Sequence, residues 1–450
     1  MFRYRASRSS RAQIICLLFL LSVFAVACRA APPLPAQPQP PAGTPTPGPT
    51  TLTVWHSVTG AARIELEALA RDFTSAYPDI TVTPMYVGSE SDLAKQVIAA
   101  VALDHTPDVV LATRRDIVDL MHQNGVVTLD PLMADADIGF SEDDNSDFFP
   151  GIMDEGAFRQ FDNKHLGIPF DEEGLVLFYN IDLLRSVNRN TPPAKWDDFS
   201  DAASVLTKDQ QYGWAMYADA DTFSAMMVSQ GSALLDDPEK RVLFAERGGV
   251  SAMSLISQLS KSGAAHMLSS RDAAVDEFAQ AHAGFLFGWM SELSALRGAQ
   301  KRAGTDFAIG IANVPQSDPS SPYMLIRGRD LVLLKTDKER ERRAWFFVRW
   351  LTAPQQSARW ARAADAIPLR ASALNFLAAD LLNNPRFRQI QSAAGGTVPH
   401  FVPQSVHPRI GLIEKLVEAT WSQIALTKVD IIPTLNGAAA QANQILASNQ

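Results

Sequence analysis

The hydrophobic pattern of the chain alternates between short apolar runs and longer amphipathic segments. The run LTVW at residues 52–55 predicts a short strand, and apolar residues between 64 and 77 then recur at the spacing of an α-helix. Two further strand–helix pairs follow, over residues 80–86 with 92–103 and over 107–111 with 115–123. Such alternation predicts an α/β fold in which a parallel or mixed sheet carries helices on both faces.

Breaks in this pattern predict that the chain passes more than once between two lobes. About 400 residues follow the N-terminal segment, too many for one hydrophobic core. The breaks lie at 166–171, 307–310 and 363–368. We therefore expect a hinge of crossing segments between two α/β lobes. The expected bounds are 51–165 plus 310–362 for the first lobe and 166–309 plus 363–450 for the second.

The N-terminal 50 residues have the pattern of an export signal followed by a tether. Arginines at 3, 5, 8 and 11 precede an apolar run over 14–21 and the small residues Ala25-Val26-Ala27 before Cys28. This arrangement resembles a bacterial lipobox, so residues 1–27 are predicted to be a signal peptide and Cys28 to carry lipid. The alternative is an ordinary cleaved signal with an incidental cysteine. Residues 28–50 are rich in proline, which is typical of an extended linker.

Composition excludes several kinds of site. Cys16 and Cys28 are the only cysteines, so a mature chain beginning at Cys28 has no intrachain disulfide and no cysteine-based zinc or redox site. Without the four signal arginines, 36 basic residues face 49 acidic ones, a net charge of −13. This charge disfavours sequence-independent nucleic-acid binding. No cofactor or metal is expected, and no segment after the signal is long and apolar enough to span a membrane.

The order of several short motifs resembles the extracellular solute-binding proteins of bacterial ABC importers, in the group that takes sugars and glycerol phosphates. The motifs are LTVWHSVTG (52–60), TPDVVLA (106–112), LGIPFDEEGLVLFYNIDLL (166–184), PPAKWDDF (192–199), HAGFLFGWM (282–290), RAWFFVRWLTAPQQSARWA (343–361) and AIPLRASA (366–373). The resemblance implies a monomeric two-lobe periplasmic-binding fold of type II, which closes on a solute in its cleft. It also implies that membrane permease subunits recognise the closed form.

Candidate solute-binding residues lie at predicted strand ends and crossings, where open α/β sheets bind ligands. Sugars need aromatic platforms together with hydrogen-bonding groups. The non-arginine candidates are Trp55, His56, Ser89, Glu90, Asp171 and Trp289. Trp55 and Trp289 are alternatively core residues, and Asp171 is alternatively a solvated loop acid. We predict that the two tryptophans face each other across the cleft.

Arginines at the predicted cleft edges leave a phosphorylated solute open as an alternative, because a guanidinium fork suits phosphate oxygens. These candidates are Arg114, Arg327, Arg329, Arg370 and Arg409. The segment around Arg409 resembles the phosphate-binding position of glycerol-phosphate-binding members. Arg114 and Ala366, however, stand where that subfamily has an acidic and a tyrosine ligand. Each arginine is alternatively part of an interlobe or surface ion pair.

Enzyme motifs are missing from the sequence. It contains no Gly-x-Ser-x-Gly elbow, no Walker loop, no His-Glu-x-x-His pair and no Gly-x-Gly-x-x-Gly after a strand. The chain is therefore predicted to bind a solute without converting it. A solute sensor and a secreted glycoside hydrolase with two distant carboxylates are the remaining alternatives.

Overall fold

The computed structural model describes residues 48–236, 240–383 and 398–448, with the side chains of 381–383 left aside. The predicted signal peptide, Cys28 and the linker up to residue 47 lie outside the described residues. The strands are β1 (Thr50–His56), β2 (Ile80–Tyr86), β3 (Val109–Thr113), β4 (Ala157–Phe158), β5 (Lys164–His165), β6 (Ile168–Pro169), β7 (Glu173–Asn180), β8 (Tyr212–Met216), β9 (Ala265–Met267), β10 (Ala283–Trp289), β11 (Ile309–Asn313), β12 (Tyr323–Arg327), β13 (Arg329–Leu333) and β14 (His400–Pro403).

Helices follow most of the strands, as the periodicity predicts. The α-helices are α1 (Gly60–Ala76), α2 (Glu90–Ala102), α3 (Arg114–His122), α4 (Asp130–Met133), α5 (Glu142–Asp147), α6 (Ile181–Ser186), α7 (Trp196–Leu206), α8 (Ala220–Val228), α9 (Arg247–Lys261), α10 (Arg271–Ala279), α11 (Leu293–Ala303), α12 (Lys338–Leu351), α13 (Pro354–Ala364), α14 (Ala378–Asn383), α15 (Ile410–Leu426) and α16 (Ile431–Ala447). Short 3-10 helices lie at Ile152–Gly156, Arg159–Phe161, Met290–Glu292 and Ala371–Leu377.

The first lobe is built on the sheet β2-β1-β3-β13-β6. β1 pairs in parallel with β2 and β3, whereas β13 runs antiparallel to β3 and β6. One face packs against α1 and α12, and the other against α2 and α3. Capping boxes begin α2 at Ser89 and α3 at Thr113, so both helices start directly beyond the carboxyl ends of strands β2 and β3.

The second lobe is built on the sheet β14-β12-β7-β10-β8-β9, with β11 also paired to β7. β7 runs antiparallel to β10, β11 and β12, and β8 lies parallel to β9 and β10. Hydrophobic clusters cover both faces of this sheet. Trp214 is 2% exposed and lies in one of them, so it is a core residue.

The predicted lobe boundary at residue 310 is wrong. β11 and β12 both pair with β7 of the second sheet, and the chain returns to the first sheet only at β13. The return crossing is therefore the single residue Gly328. The first boundary, at residue 165, is also misplaced, because β6 still pairs with β13 of the first sheet. In addition, Phe148, Phe149 and Ile152, within the predicted first lobe, pack in a cluster of the second lobe. Local hydrophobicity identifies these segments as buried but does not say which sheet receives them.

Candidate functional site

Gly328 separates two arginines that reach to opposite sides of the crossing. The Arg327 guanidinium joins second-lobe groups, donating from Nε to Glu173 Oε1 at 3.0 Å and lying 3.7 Å from Asp221 Oδ2. Arg329 begins β13 of the first lobe and pairs with Asp171 and with Glu90, the latter at 3.3 Å. The short crossing thus places two charged networks next to each other between the lobes.

On the second-lobe side, Trp289 has a buried ring with a bonded polar edge. The residue is 4% exposed, and its Nε1 donates to Asp221 Oδ2 at 2.9 Å. The guanidinium carbon of Arg327 lies 4.1 Å from the centre of its ring. Gln404, just after β14, donates to the other oxygen of Asp221 at 2.5 Å. Trp289 therefore belongs both to the core and to a polar network beside the crossing.

On the first-lobe side, Asp171 is a buried acid with two donors. It is 8% exposed and accepts hydrogen bonds from Arg329 and, at 3.2 Å, from Trp360 Nε1. Burial raises the pKa of Asp171, while the Arg329 charge opposes that rise. The alternative of a solvated loop acid is therefore wrong. Glu90, at the start of α2, remains largely exposed and completes the network around Arg329.

His56 is a buried histidine at the carboxyl end of β1. It is 1% exposed, and its ring centre lies 6.1 Å from that of Tyr86. Burial, together with the charges of Arg63 and Arg329, lowers the pKa of His56 to about 4. The side chain is consequently neutral near pH 7. Its Nδ1 has no hydrogen-bond partner among the described residues, so it has unused capacity as a donor or acceptor.

An ion pair joins the two lobes near these networks. Arg115 Nη2, at the start of α3, lies 3.8 Å from Glu414 Oε2 on α15. A small cavity beside Glu414 has polar lining groups from Asp221, Ser224 and Gln404 and apolar lining from residues of α8, β12 and β14. The cavity lies beside the Trp289 network because they share Asp221. Together these groups form the candidate solute site between the lobes.

The second-lobe side of this site is crowded with acids. Burial raises the pKa of Asp221, and the nearby Asp219 raises it further. Burial likewise raises the pKa of Glu414 and of Glu418, and Asp219 and Asp221 add to both shifts. A ligand that donates hydrogen bonds or carries positive charge would relieve this repulsion.

Two predicted ligand arginines instead stabilise the fold. The guanidinium of Arg114, which is 8% exposed, donates to the backbone carbonyls of Asp154, Glu155 and Ala157. Arg370 is 2% exposed and donates to the carbonyls of Thr352 and Asp144 at 2.7 and 2.8 Å. Both predictions of solute contact are wrong, because the two Nη groups of Arg114 and the Nε and Nη1 groups of Arg370 donate to carbonyls of segments distant in sequence.

Three other candidates also have structural partners. Arg409 donates to Ser448 and to the carbonyl of Ile445 at 3.2 Å, where a cation stabilises the carboxyl end of α16. Ser89 is engaged in the capping box of α2 with Asp92. Trp55 is partly buried against the cluster under α2 and α3, on the sheet face opposite α1. The predicted facing of Trp55 and Trp289 stays a prediction.

Several groups that the structure brings to the site were not predicted from the sequence. They are Arg115, Asp221, Gln404, Glu414 and, as a donor to Asp171, Trp360. Asp221 comes shortly after strand β8, so the strand-end rule that selected His56 would have selected it also. Gln404 and Glu414 follow β14, a strand that the sequence analysis does not predict.

Within the described ranges, no helix is both long and apolar enough to cross a membrane. No group of three or more His, Cys, Asp or Glu side chains among these residues is arranged to hold a metal ion.

Comparisons with known proteins identify proteins of similar sequence and fold. The chain is similar to the sn-glycerol-3-phosphate-binding periplasmic protein UgpB of Salmonella typhimurium, with 23% identity over 337 residues, which cover 72% of this chain and 75% of that protein. Its fold is similar to the cyclic alpha-maltosyl-1,6-maltose binding protein of Arthrobacter globiformis, with a TM-score of 0.74 and 17% identity over 89% of this chain and 100% of that one. It is also similar to UgpB of Mycobacterium tuberculosis in complex with glycerophosphocholine, with a TM-score of 0.66 and 20% identity over 89% and 98% of the two chains.

A family model decides the classification. The model of the bacterial extracellular solute-binding proteins matches residues 68–389, well over half of the chain. This match includes β2 to β13 and the crossing at Gly328, whereas β1 and β14 lie outside it. The chain therefore belongs to the bacterial extracellular solute-binding proteins.

Proposed function

We propose that this protein captures a sugar or sugar-like polyol between its lobes and delivers it to the permease of an ABC importer. Trp289, Asp221, Gln404 and Glu414 would supply contacts from the second lobe, and His56 and Glu90 from the first. Carboxylate, amide and imidazole groups pair with hydroxyls, which a neutral carbohydrate presents in number.

The observation that carries the proposal is the pairing of the arginines at the site. Arg327 pairs with Glu173 and Asp221, Arg329 with Glu90 and Asp171, and Arg115 with Glu414. A phosphate would have to compete with these carboxylates for each guanidinium. A neutral polyhydroxylated solute has no such competitor and finds several acceptors already in place.

Thermal-shift measurements with a small panel test the solute class. The panel contains maltotetraose as a neutral sugar, sn-glycerol-3-phosphate as an anion and glycerophosphocholine as a zwitterion. A solute that binds only the native state stabilises it by about 2.7 kcal/mol at a hundredfold excess over Kd. Stabilisation by neutral sugars alone supports the proposal, whereas stabilisation by sn-glycerol-3-phosphate alone overturns it.

A glycerophosphodiester with a cationic head group is the second candidate. It is favoured by the crowded carboxyls of Asp221, Glu414 and Glu418, whose mutual repulsion a positive group would reduce. The half-exposed Arg115 could turn from Glu414 to the phosphate. Stabilisation by glycerophosphocholine but not by sn-glycerol-3-phosphate would select this candidate, because only the former carries the cation.

Capture without conversion is part of the same proposal. Incubation of the protein with maltotetraose should leave the sugar intact, and release of reducing ends would instead support a hydrolase. A sensing role is distinguished genetically. Deletion of the gene should abolish uptake of the identified solute if the role is transport, and should alter only solute-induced expression if it is sensing.

We further propose that Cys28 carries the lipid that tethers the protein to the outer face of the cytoplasmic membrane. The supporting features are the small residues before Cys28 and the proline-rich segment after it. Cys28→Ser should release the protein from the membrane fraction, whereas Cys16→Ser, inside the predicted signal, should leave it bound. Wild-type protein found entirely in the soluble fraction would contradict the proposal.

A further inference from the structure

Three carboxyl side chains are buried together beside the crossing between the lobes. Glu155, Glu172 and Asp330 are each 1% exposed or less. Both carboxyl oxygens of Glu172, both of Asp330 and Oε2 of Glu155 have no hydrogen-bond partner among the described residues. Buried polar groups are normally satisfied, so five such atoms in one place require a physical explanation.

Glu172 contacts all three crossing segments. It lies in the first crossing, between β6 and β7. A Cβ placed on Gly328, in the second crossing, would lie 2.3 Å from Glu172 Oε2, so the carboxyl group packs directly on that glycine. The backbone carbonyl of Glu172 accepts from Ile367 N at 2.6 Å. Ile367 lies in the third crossing, where the chain passes from Ala366 in a first-lobe cluster to Leu369 in a second-lobe cluster. The carboxyl group of Glu172 therefore packs on the second crossing, and its backbone is bonded to the third.

The charges around the cluster do not balance three ionised acids. The nearby cations are Arg114, at the start of α3, and Arg329, on β13. The Arg114 guanidinium already donates to backbone carbonyls, and Arg329 is paired with Asp171 and Glu90. Asp171 adds a further negative charge beside Glu172. Desolvating several like charges next to already committed cations is unfavourable, so these acids retain protons.

We propose that Glu155, Glu172 and Asp330 form a proton-dependent lock on the interlobe hinge. With Glu172 protonated, the three crossing segments pack around a neutral carboxyl group. A protonated carboxyl can also donate to an oxygen of a neighbouring carboxylate, which would use part of the unpaired capacity. Ionisation of the cluster places like charges in a dry site and loosens the crossings.

The direction in which stability changes with pH follows from the pKa shifts of the three acids. Burial, with the charges of Glu155, Asp330 and Asp171, raises the pKa of Glu172 well above its ordinary value. Burial raises the pKa of Asp330 to about 7 and of Glu155 to about 8, and Arg114 opposes both shifts. Acids whose pKa is higher in the folded state stabilise it fully only at low pH. Their contribution falls progressively as the pH rises above the ordinary carboxyl range, about 4, and is fully lost above the folded pKa values of about 7 to 8.

Glu172→Gln tests the lock, because glutamine keeps the shape of the acid but cannot ionise. Full-length wild type and variant are compared without solute at pH 5.5 and 8.5, by calorimetric Tm and by hydrogen exchange corrected for its chemical pH dependence. We expect the Tm of the variant relative to that of the wild type to be higher at pH 8.5 than at pH 5.5 by about 2 °C or more. Exchange in the crossing segments should accelerate with pH more in the wild type than in the variant, which keeps Glu155 and Asp330.

Asp104→Asn is the matched control, since it also removes one acid but lies exposed in a turn. It should leave the wild-type pH dependence intact, which accounts for the other titratable groups of the protein. If Glu172→Gln does not fold, Asp330→Asn provides the same comparison within the cluster. An unaltered pH dependence in the folded cluster variant, or a lower Tm at pH 8.5, would overturn the proposal.

Discussion

Neighbouring residues on the crossing segments differ in whether their charged groups are paired. Asp171 and Arg329 pair with each other beside the candidate site. The next residue in each segment is Glu172 or Asp330, and the carboxyl groups of these two are buried without hydrogen-bond partners among the described residues. Successive side chains of an extended segment point to opposite sides. The two extended segments therefore separate a paired charge network from an unpaired one.

The difference shows that the ionisation of these acids depends on the side of the crossing that they face. Asp171 has a guanidinium and an indole donor, so its charge is compensated despite burial. Glu172 has neither and is neutralised most readily by a proton. We therefore expect the paired network to exchange its partners for a solute and the unpaired network to respond to pH.

The largest expected effect comes from removing a partner on the paired side. Arg329→Ala leaves Asp171 buried without its cation, which should lower the free energy of unfolding by about 3 kcal/mol. Arg327→Ala is the control. Its side chain is 40% exposed, so we expect a loss below about 1 kcal/mol. Urea unfolding at pH 7 measures the free energy of unfolding of both variants. Equal losses would show that the buried Asp171 does not depend on Arg329 more strongly than Glu173 and Asp221 depend on Arg327.

His56 should give a pH dependence opposite in sign to that of the acids on the hinge. Its pKa is lowered to about 4, so its contribution to stability is present above pH 6.5 and is lost as the pH falls through 4. His56→Gln should therefore lose about 2 kcal/mol less stability than wild type between pH 6.5 and 4. Denaturant titrations at both pH values test this. His105→Gln, at an exposed position, should behave as wild type.

Gly328 tests how closely the unpaired side is packed. A Cβ in Gly328→Ala would lie 2.3 Å from Glu172 Oε2 and 2.4 Å from the carbonyl oxygen of Asp171. Such overpacking should cost about 2 kcal/mol of unfolding free energy. Gly437→Ala, within α16 and with no atom inside 4 Å of the added Cβ, should instead stabilise by about 0.5 kcal/mol. If Gly328→Ala leaves the free energy of unfolding unchanged, the carboxyl group of Glu172 moves freely.

Trp289 tests whether the polar network binds solute. Trp289→Phe keeps an aromatic ring but removes the donor to Asp221, so solute affinity should fall about fivefold, near 1 kcal/mol. Trp421→Phe is matched, because Trp421 is fully buried in the same lobe and its Nε1 has no described partner. Calorimetric titration with the solute selected by the thermal-shift panel should show unchanged affinity for that control. Equal affinity losses would assign Trp289 to packing alone.

Sequence reasoning predicted the strand–helix order of the first lobe, because this order follows from local periodicity. Solute contact by Asp171 and Arg329, which it selected from crossings and strand ends, stays a prediction. Sequence reasoning misplaced β11 and β12, whose apolar residues fit either sheet equally well. It also assigned Arg114 and Arg370 to the solute. An arginine in a loop sequence does not reveal whether its fork will meet a ligand or the backbone carbonyls of a distant segment.

The sequence by itself determined the α/β class, the family and the presence of crossings, since these depend on patterns that recur along the chain. Only the tertiary structure decided that Glu172 meets Gly328 and Ile367, and that Arg115 meets Glu414. Such contacts join residues far apart in sequence. They set burial and charge pairing, and through these the protonation of each acid, because the cost of a buried charge depends on its surroundings rather than on its residue type.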